Sequence, residues 1–287
     1  MKKNLFLVLI NIKDFLRLFG IKKIPGAMPV YNFFFKLTRP SYAIVDGDVF
    51  FCDRDDDLEL TSKSGHFERF VRSVFQRETK NGDIFFDIGA HIGYNTILAS
   101  RLVGEQGRVF AFEPFPENFQ LLKKNVAANS CRNVSILEMA ISDQNGTAKL
   151  FLDKESIRHS LYGKSSDSDH IEVETTTLDD FLKKNGMPRV DVIKMDIEGG
   201  EMRALRGMAN MLRCNRKLKI FTEFYPHDLK LAGVKPNDYL KELRSFGLEI
   251  YNINSREELV EKISDAELLA RYTFENDEVT NLFCVRN

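Results

Sequence analysis

Apolar residues recur along the chain with two different periods. At 66–79 they fall at Phe67, Phe70, Val71, Val74 and Phe75, the spacing of one helical face. At Ile84 the register changes. Ile84-Phe-Phe-Asp-Ile88 is a short continuous apolar run that ends in an acid and then Gly89, the pattern of a strand buried on both faces. The two patterns then alternate. Helices are predicted at 94–103, 116–129, 178–184, 199–212 and about 237–246. Strands are predicted at 108–113, 134–138, 171–177, 191–196, 218–223, 248–252 and 281–286. A turn at Asn145-Gly146 leads into a strand-like 148–152, and 155–170 is polar and Ser-rich, an ordinary loop or a mobile lid. Such alternation predicts an α/β fold: a Rossmann-like, mostly parallel central sheet with helices on both faces and right-handed crossovers.

The first 65 residues read differently. Met1-Lys2-Lys3 followed by apolar 5–10 resembles the start of a signal peptide, but Asn11, Lys13 and Asp14 interrupt it and no small-residue cleavage site follows. The run is also far short of the ~20 residues that span a bilayer. Residues 2–19 are therefore expected to form an amphipathic helix ending at Gly20. Packing on the domain is favoured over peripheral contact with a membrane surface. An irregular connector at 21–40, carrying Pro25, Pro29, Pro40 and Phe33 to Phe35, leads to a β-hairpin around Asp46-Gly47. This gives an N-terminal extension at 1–65 and a main domain at 66–287. His66 and Glu68 at the boundary either cap the first domain helix or border a substrate.

Composition narrows the class. The 287 residues carry 41 Lys plus Arg against 42 Asp plus Glu, a net charge of −1. Nucleic acid as the primary partner would call for a basic excess. Trp is absent and Phe numbers 24, so Phe must supply the aromatic mass of the core. The four cysteines, Cys52, Cys131, Cys214 and Cys284, form no C-x-x-C pair and read as free thiols of a reducing, cytoplasmic compartment.

The chemistry concentrates at Asp87-Ile-Gly89-Ala-His91-Ile-Gly93, between a strand and a helix, where doubly wound sheets bind ligands. A dinucleotide fingerprint would place glycines at 91 and 94, where His91 and Tyr94 stand. Asp87 would also repel a pyrophosphate. S-adenosylmethionine reverses that electrostatics, because its ammonium and sulfonium are cationic. Gly89 and Gly93 would let the backbone approach it closely. Glu113 ends the next strand, roughly 20 residues on, the usual place of a ribose-binding acid.

Taken with E-P-F-P-E-N-F-Q-L-L-K-K-N from Glu113, A-I-S-D-Q-N-G from Ala140, T-L-D-D-F from Thr177 and V-I-K-M-D-I-E-G-G-E from Val192, this motif resembles the FkbM-type methyltransferases. These are class I enzymes that use S-adenosylmethionine, typically to methylate hydroxyls of sugars or natural products. His91 stands where that family usually has Asn. The resemblance implies a cofactor loop at Asp87, Gly89 and Gly93, a ribose acid at Glu113, and an adenine-side wall at Ala140 and Asp143, with His91 as a weaker contact. Asp143 serves equally as a turn residue.

At the fourth buried strand, alternation puts Lys194 and Asp196 on one side. Asp196 is the leading candidate base for a hydroxyl acceptor, with Lys194 and Glu198 in support and Glu223 or His227 completing the acceptor site. Glu201 is read as a helix N-terminal acid. Asp196 and Glu198 alone do not specify a metal. A nicotinamide-dependent oxidoreductase on a similar sheet, and a non-catalytic protein that keeps the fold, are the alternatives.

Overall fold

The computed structural model describes residues 41–52, 67–152, 159–162, 169–186 and 189–286. The expected helix at 2–19, the connector at 21–40, His66 and most of the Ser-rich loop lie outside the described residues.

A hairpin of β1 (Tyr42–Val45) and β2 (Asp48–Phe51) precedes α1 (Phe67–Glu78). Two strand–helix steps and a third strand follow: β3 (Ile84–Ile88), α2 (Tyr94–Val103), β4 (Arg108–Phe112), α3 (Pro116–Ala128) and β5 (Val134–Leu137). Next come β6 (Ala140–Ile141), β7 (Gly146–Phe151), β8 (His170–Thr176) and α4 (Leu178–Lys184). The second half holds β9 (Val192–Met195), α5 (Glu201–Gly207), α6 (Ala209–Cys214), β10 (Lys219–Phe224) and α7 (Pro226–Leu231). It closes with α8 (Pro236–Ser245), β11 (Glu249–Asn254), β12 (Leu259–Lys262), α9 (Asp265–Arg271) and β13 (Thr280–Val285).

Eight strands form one sheet in the order β12-β11-β13-β10-β9-β3-β4-β5. From β10 to β5 all neighbours are parallel; β13 pairs antiparallel with both β10 and β11. β6, β7 and β8 make a separate sheet of three, with β6 parallel and β7 antiparallel to β8. Alternation splits the Phe residues between the two faces. Phe86 belongs to a core with Phe112, Met195, Leu205 and Leu243, while Phe85 packs with Val74, Phe75, Leu98 and Phe221 on the other side. Phe86 stacks on Phe110 at 5.0 Å, and Phe181 of α4 stands edge-on to both. With no Trp available, Phe clusters carry this packing, each buried ring contributing about 2–3 kcal/mol.

Local chemistry sets the helix ends. Pro116 opens α3 at its first position. The Thr177 hydroxyl accepts from the Asp180 N–H at 3.1 Å to start α4. The single helix expected at 199–212 is two. The chain breaks at Met208 (φ −120°), beside the point where Gly207 touches the Ser142 carbonyl so closely that a Cβ would sit 1.9 Å from its oxygen. The hairpin is pinned to the domain by side-chain amides of α3. Asn125 Oδ1 accepts from the Phe51 N–H at 2.7 Å, and Asn129 Oδ1 from the Val49 N–H at 2.9 Å. All four cysteines are free, Cys52 and Cys284 being buried. No helix among the described residues is long and apolar enough to cross a membrane.

Candidate active site

The strand order reverses between β3 and β9. The chain runs outward from β3 through β4 to β5, then returns to lay β9 and β10 on the opposite flank. Beyond the carboxyl ends of β3 and β9 the chain leads to helices on opposite faces of the sheet, and a crevice opens at this switch point. A cavity of about 400 Å3 lies there, a size suited to a small molecule. Gly89 and His91 border it from the β3 loop, Glu113 from the end of β4 and Ala140 from β6. Lys194, Asp196 and Glu198 border it from β9 and the turn beyond, and Glu223 from β10.

Four expected residues do not border the cavity. Asp87 lies beneath the loop with no solvent exposure; its Oδ2 accepts from the Thr96 hydroxyl at 2.5 Å. Its Oδ1 has no partner among the described residues, and burial raises its pKa, Lys194 partly opposing. Gly93 caps α2. Asp143 accepts from the Ser142 hydroxyl at 3.2 Å. The His227 ring stacks between Tyr225 and Phe274, and its Nδ1 pairs with Asp228 at 2.9 Å.

The loop geometry explains its residue types. A Cβ on Gly89 (φ +81°) would lie 1.9 Å from the Asp196 carbonyl oxygen, so the β3 loop and the β9 turn meet backbone to backbone. His91 also has positive φ, 50°. Asn and His are both enriched in that conformation, so His in place of the expected Asn keeps the bend. The bend turns the His91 N–H toward Glu113, whose Oε2 accepts it at 2.8 Å. Glu113 Oε1 accepts from the Phe115 N–H at 3.0 Å. Burial nevertheless pushes the Glu113 carboxyl up to about 7, those backbone donors only moderating the rise.

Across the cavity, Lys194 Nζ lies 3.2 Å from Asp196 Oδ2 and 3.4 Å from the Gly89 carbonyl oxygen. Burial works to lower the Lys194 pKa, but the carboxylates of Asp196 and Asp87 overcome it and hold the ammonium above its usual range. The Asp196 side chain is 38% exposed toward the opening. Burial first of all holds Glu198 and Glu223 well above the carboxylate range; the Glu223 carboxyl adds to the rise at Glu198, and Asp196 and Glu201 add to it at Glu223. Glu198 sits at positive φ, 52°, and its carbonyl accepts from the Ser160 hydroxyl at 2.6 Å, tying the described part of the Ser-rich segment to this turn. Glu201 Oε1 accepts from the Ile197 N–H at 3.1 Å, the local role expected of it. Among the described residues no three His, Cys, Asp or Glu side chains come together to hold a metal ion.

Sequence reasoning passed over several cavity residues: Asn118, His159, Tyr225 and Asp277. Asn118 stood inside a quoted motif, in the first turn of α3. Tyr225 and Asp277 meet through a hydroxyl–carboxylate hydrogen bond that depends on β10 pairing with β13, which no local pattern announces.

The profile described as Methyltransferase FkbM domain matches residues 87–250, more than half of the chain. The chain belongs to the FkbM methyltransferase family. Its relatives include the hexuronic acid methyltransferase AglP of Haloferax volcanii, 28% identical over 195 residues that cover 67% of this chain and 75% of AglP. The 2-O-methyltransferase NoeI of Sinorhizobium fredii is 28% identical over 193 residues, 62% of this chain and 77% of NoeI. The 31-O-demethyl-FK506 methyltransferase FkbM of Streptomyces tacrolimicus is 24% identical over 161 residues, 46% of this chain and 61% of that protein.

The FkbM-family cofactor is S-adenosylmethionine, and the oxidoreductase alternative gives way to it. This chain's cavity fits that cofactor. Gly89 leaves the β3 loop without a side chain where it borders the cavity, Glu113 sets a carboxyl in the wall at the end of β4, and buried Asp87 keeps one oxygen without a partner among the described residues beneath the loop.

Proposed function

We propose that this FkbM-family chain methylates a hydroxyl of a sugar, glycan or small metabolite, with Asp196 as the residue that takes the hydroxyl proton. The observation that carries the reading is the Lys194–Asp196 pair, at 3.2 Å, at the carboxyl end of β9 inside the cofactor-sized cavity. When bound, the cofactor supplies an electrophilic methyl group on a sulfonium. The protein's part is alignment and proton removal. Asp196 reaches the opening while Lys194, anchored between Asp196 and the Gly89 carbonyl, holds the carboxylate in place. An alcohol is a weak nucleophile until a base within hydrogen-bond reach relieves it of its proton. Glu198 and Glu223, whose carboxyls burial and neighbouring acids hold well above the usual range, offer hydrogen bonds to the acceptor's other polar groups. The names of AglP and NoeI, a hexuronic acid methyltransferase and a 2-O-methyltransferase, support a carbohydrate acceptor.

The test combines calorimetry with S-adenosylhomocysteine and methyl transfer to a panel of hydroxylated acceptors. Asp196→Asn should bind S-adenosylhomocysteine as the wild type does and lower kcat by about 10²-fold or more. Near wild-type turnover in that variant removes Asp196 from the base role. Background turnover by the wild type across the panel removes the hydroxyl acceptor.

A further inference from the structure

Asn118 stands at the third position of α3, is 3% exposed, and borders the cavity beside Glu113. Its side chain hydrogen-bonds the Glu113 carboxyl, while its Oδ1 has no partner among the described residues. A buried amide oxygen left unpaired costs about 1–3 kcal/mol, so a ligand that satisfies it gains correspondingly. The accounting around Glu113 is tight. An ionised carboxylate offers about four acceptor positions. The N–H groups of His91 and Phe115 take two and the Asn118 amide takes a third. One position remains, and a ribose presents two hydroxyl donors side by side.

We infer that Asn118 is the second half of the ribose site: Glu113 accepts one hydroxyl of the cofactor's ribose and Asn118 Oδ1 accepts the other. The Glu113–Asn118 hydrogen bond fixes which end of the amide faces the cavity, because a carboxylate needs the NH2 end and leaves the carbonyl end for a donor. The pair therefore recognises an intact vicinal diol, and an analogue lacking either hydroxyl leaves a buried acceptor unpaired. The inference rests on the family's cofactor and is independent of the acceptor.

The experiment is calorimetric titration of the full chain with S-adenosylhomocysteine, its 2′-deoxy and 3′-deoxy analogues, and its N6-methyl analogue. The wild type should bind each deoxy analogue about fivefold to tenfold more weakly than S-adenosylhomocysteine. Asn118→Leu, which keeps the branched shape and removes the polar atoms, should bind S-adenosylhomocysteine more weakly and lose the penalty for one of the two deoxy analogues while keeping it for the other. A merely structural Asn118 would weaken all four ligands alike, which overturns the inference. It is also overturned, with no variant needed, if the wild type binds either deoxy analogue as tightly as S-adenosylhomocysteine. Loss of discrimination confined to the N6-methyl analogue assigns Asn118 to the purine and overturns it too. No binding of S-adenosylhomocysteine by the wild type overturns the cofactor itself, a result distinct from all of these.

Discussion

Glu113 is a carboxyl that burial holds at about 7, and the ribose role proposed for it requires the ionised form. Burial and that proposed role set opposite pH dependences for the empty protein and for cofactor binding. In the unfolded chain Glu113 ionises near 4.5; in the folded chain it stays protonated until about 7. Its burial is therefore tolerated fully below 4.5, and stability falls as pH rises from there to about 7. At ~1.4 kcal/mol per pH unit that interval amounts to about 3 kcal/mol. Cofactor binding runs the other way, because the ionised form accepts the hydroxyl. From pH 6 to pH 8 the ionised fraction rises from about one-tenth to about nine-tenths, so the affinity for S-adenosylhomocysteine should rise about tenfold and then level off. Titration calorimetry across that range measures the affinity, and urea unfolding at matched pH measures the stability. Glu201 is also held at about 7 by burial, so Glu113→Gln is the necessary control. That variant should bind more weakly at pH 8, show little pH dependence in binding, and unfold at higher urea than the wild type at pH 8. An affinity that is flat from pH 6 to pH 8, or a slope that survives in Glu113→Gln, refutes the assignment.

Two further substitutions test the frame around the site. Gly89→Ala places a Cβ 1.9 Å from the Asp196 carbonyl oxygen at a φ of +81°, which L-residues adopt at a cost of about 1–2 kcal/mol before any clash. Affinity for S-adenosylhomocysteine should fall at least about tenfold, since each ~1.4 kcal/mol is a decade; wild-type affinity by calorimetry would show that the two loops do not bear on each other. Asn125→Ala removes partners of the Phe51 N–H and the Ile92 carbonyl, bonded at 2.7 and 2.8 Å. Unfolding should be easier by about 2–4 kcal/mol and amide exchange at Phe51 faster, the exchange rate being the readout specific to the hairpin.

Much of the architecture was legible because the two periods are clean. α2 and α4 match their expected spans to the residue, and the five parallel strands lie within a residue or so of theirs. Each miss has a local cause. β6 has only two residues, too few to show a period. α9 carried a readable start, the Ser264–Glu267 capping box, but its face is too short to stand out. The break at Met208 comes from Gly207 meeting Ser142, a contact across 65 positions. In the site, motif order led to loops that border one cavity, but periodicity cannot say which way Asp87 turns, because its strand is buried on both faces. The neighbourhood of Glu223, with Glu198 and Asp228 close by, required the folded chain, as did the unpaired oxygen of Asn118.

The position of β13 has a consequence for how the chain is made. β13 follows every other strand in the sequence yet lies inside the sheet, between β10 and β11. A ribosome delivers it after its two neighbours. Until it arrives, β10 and β11 each present an open edge of N–H and C=O groups, the kind of edge that recruits strands from other chains. β10 also carries Glu223, so one wall of the active site is set by the strand that docks last. Completing the sheet and setting the cavity wall that Glu223 lines are then one late event in biogenesis. A nascent chain stalled short of β13 would expose both of those strand edges before that wall of the cavity was set.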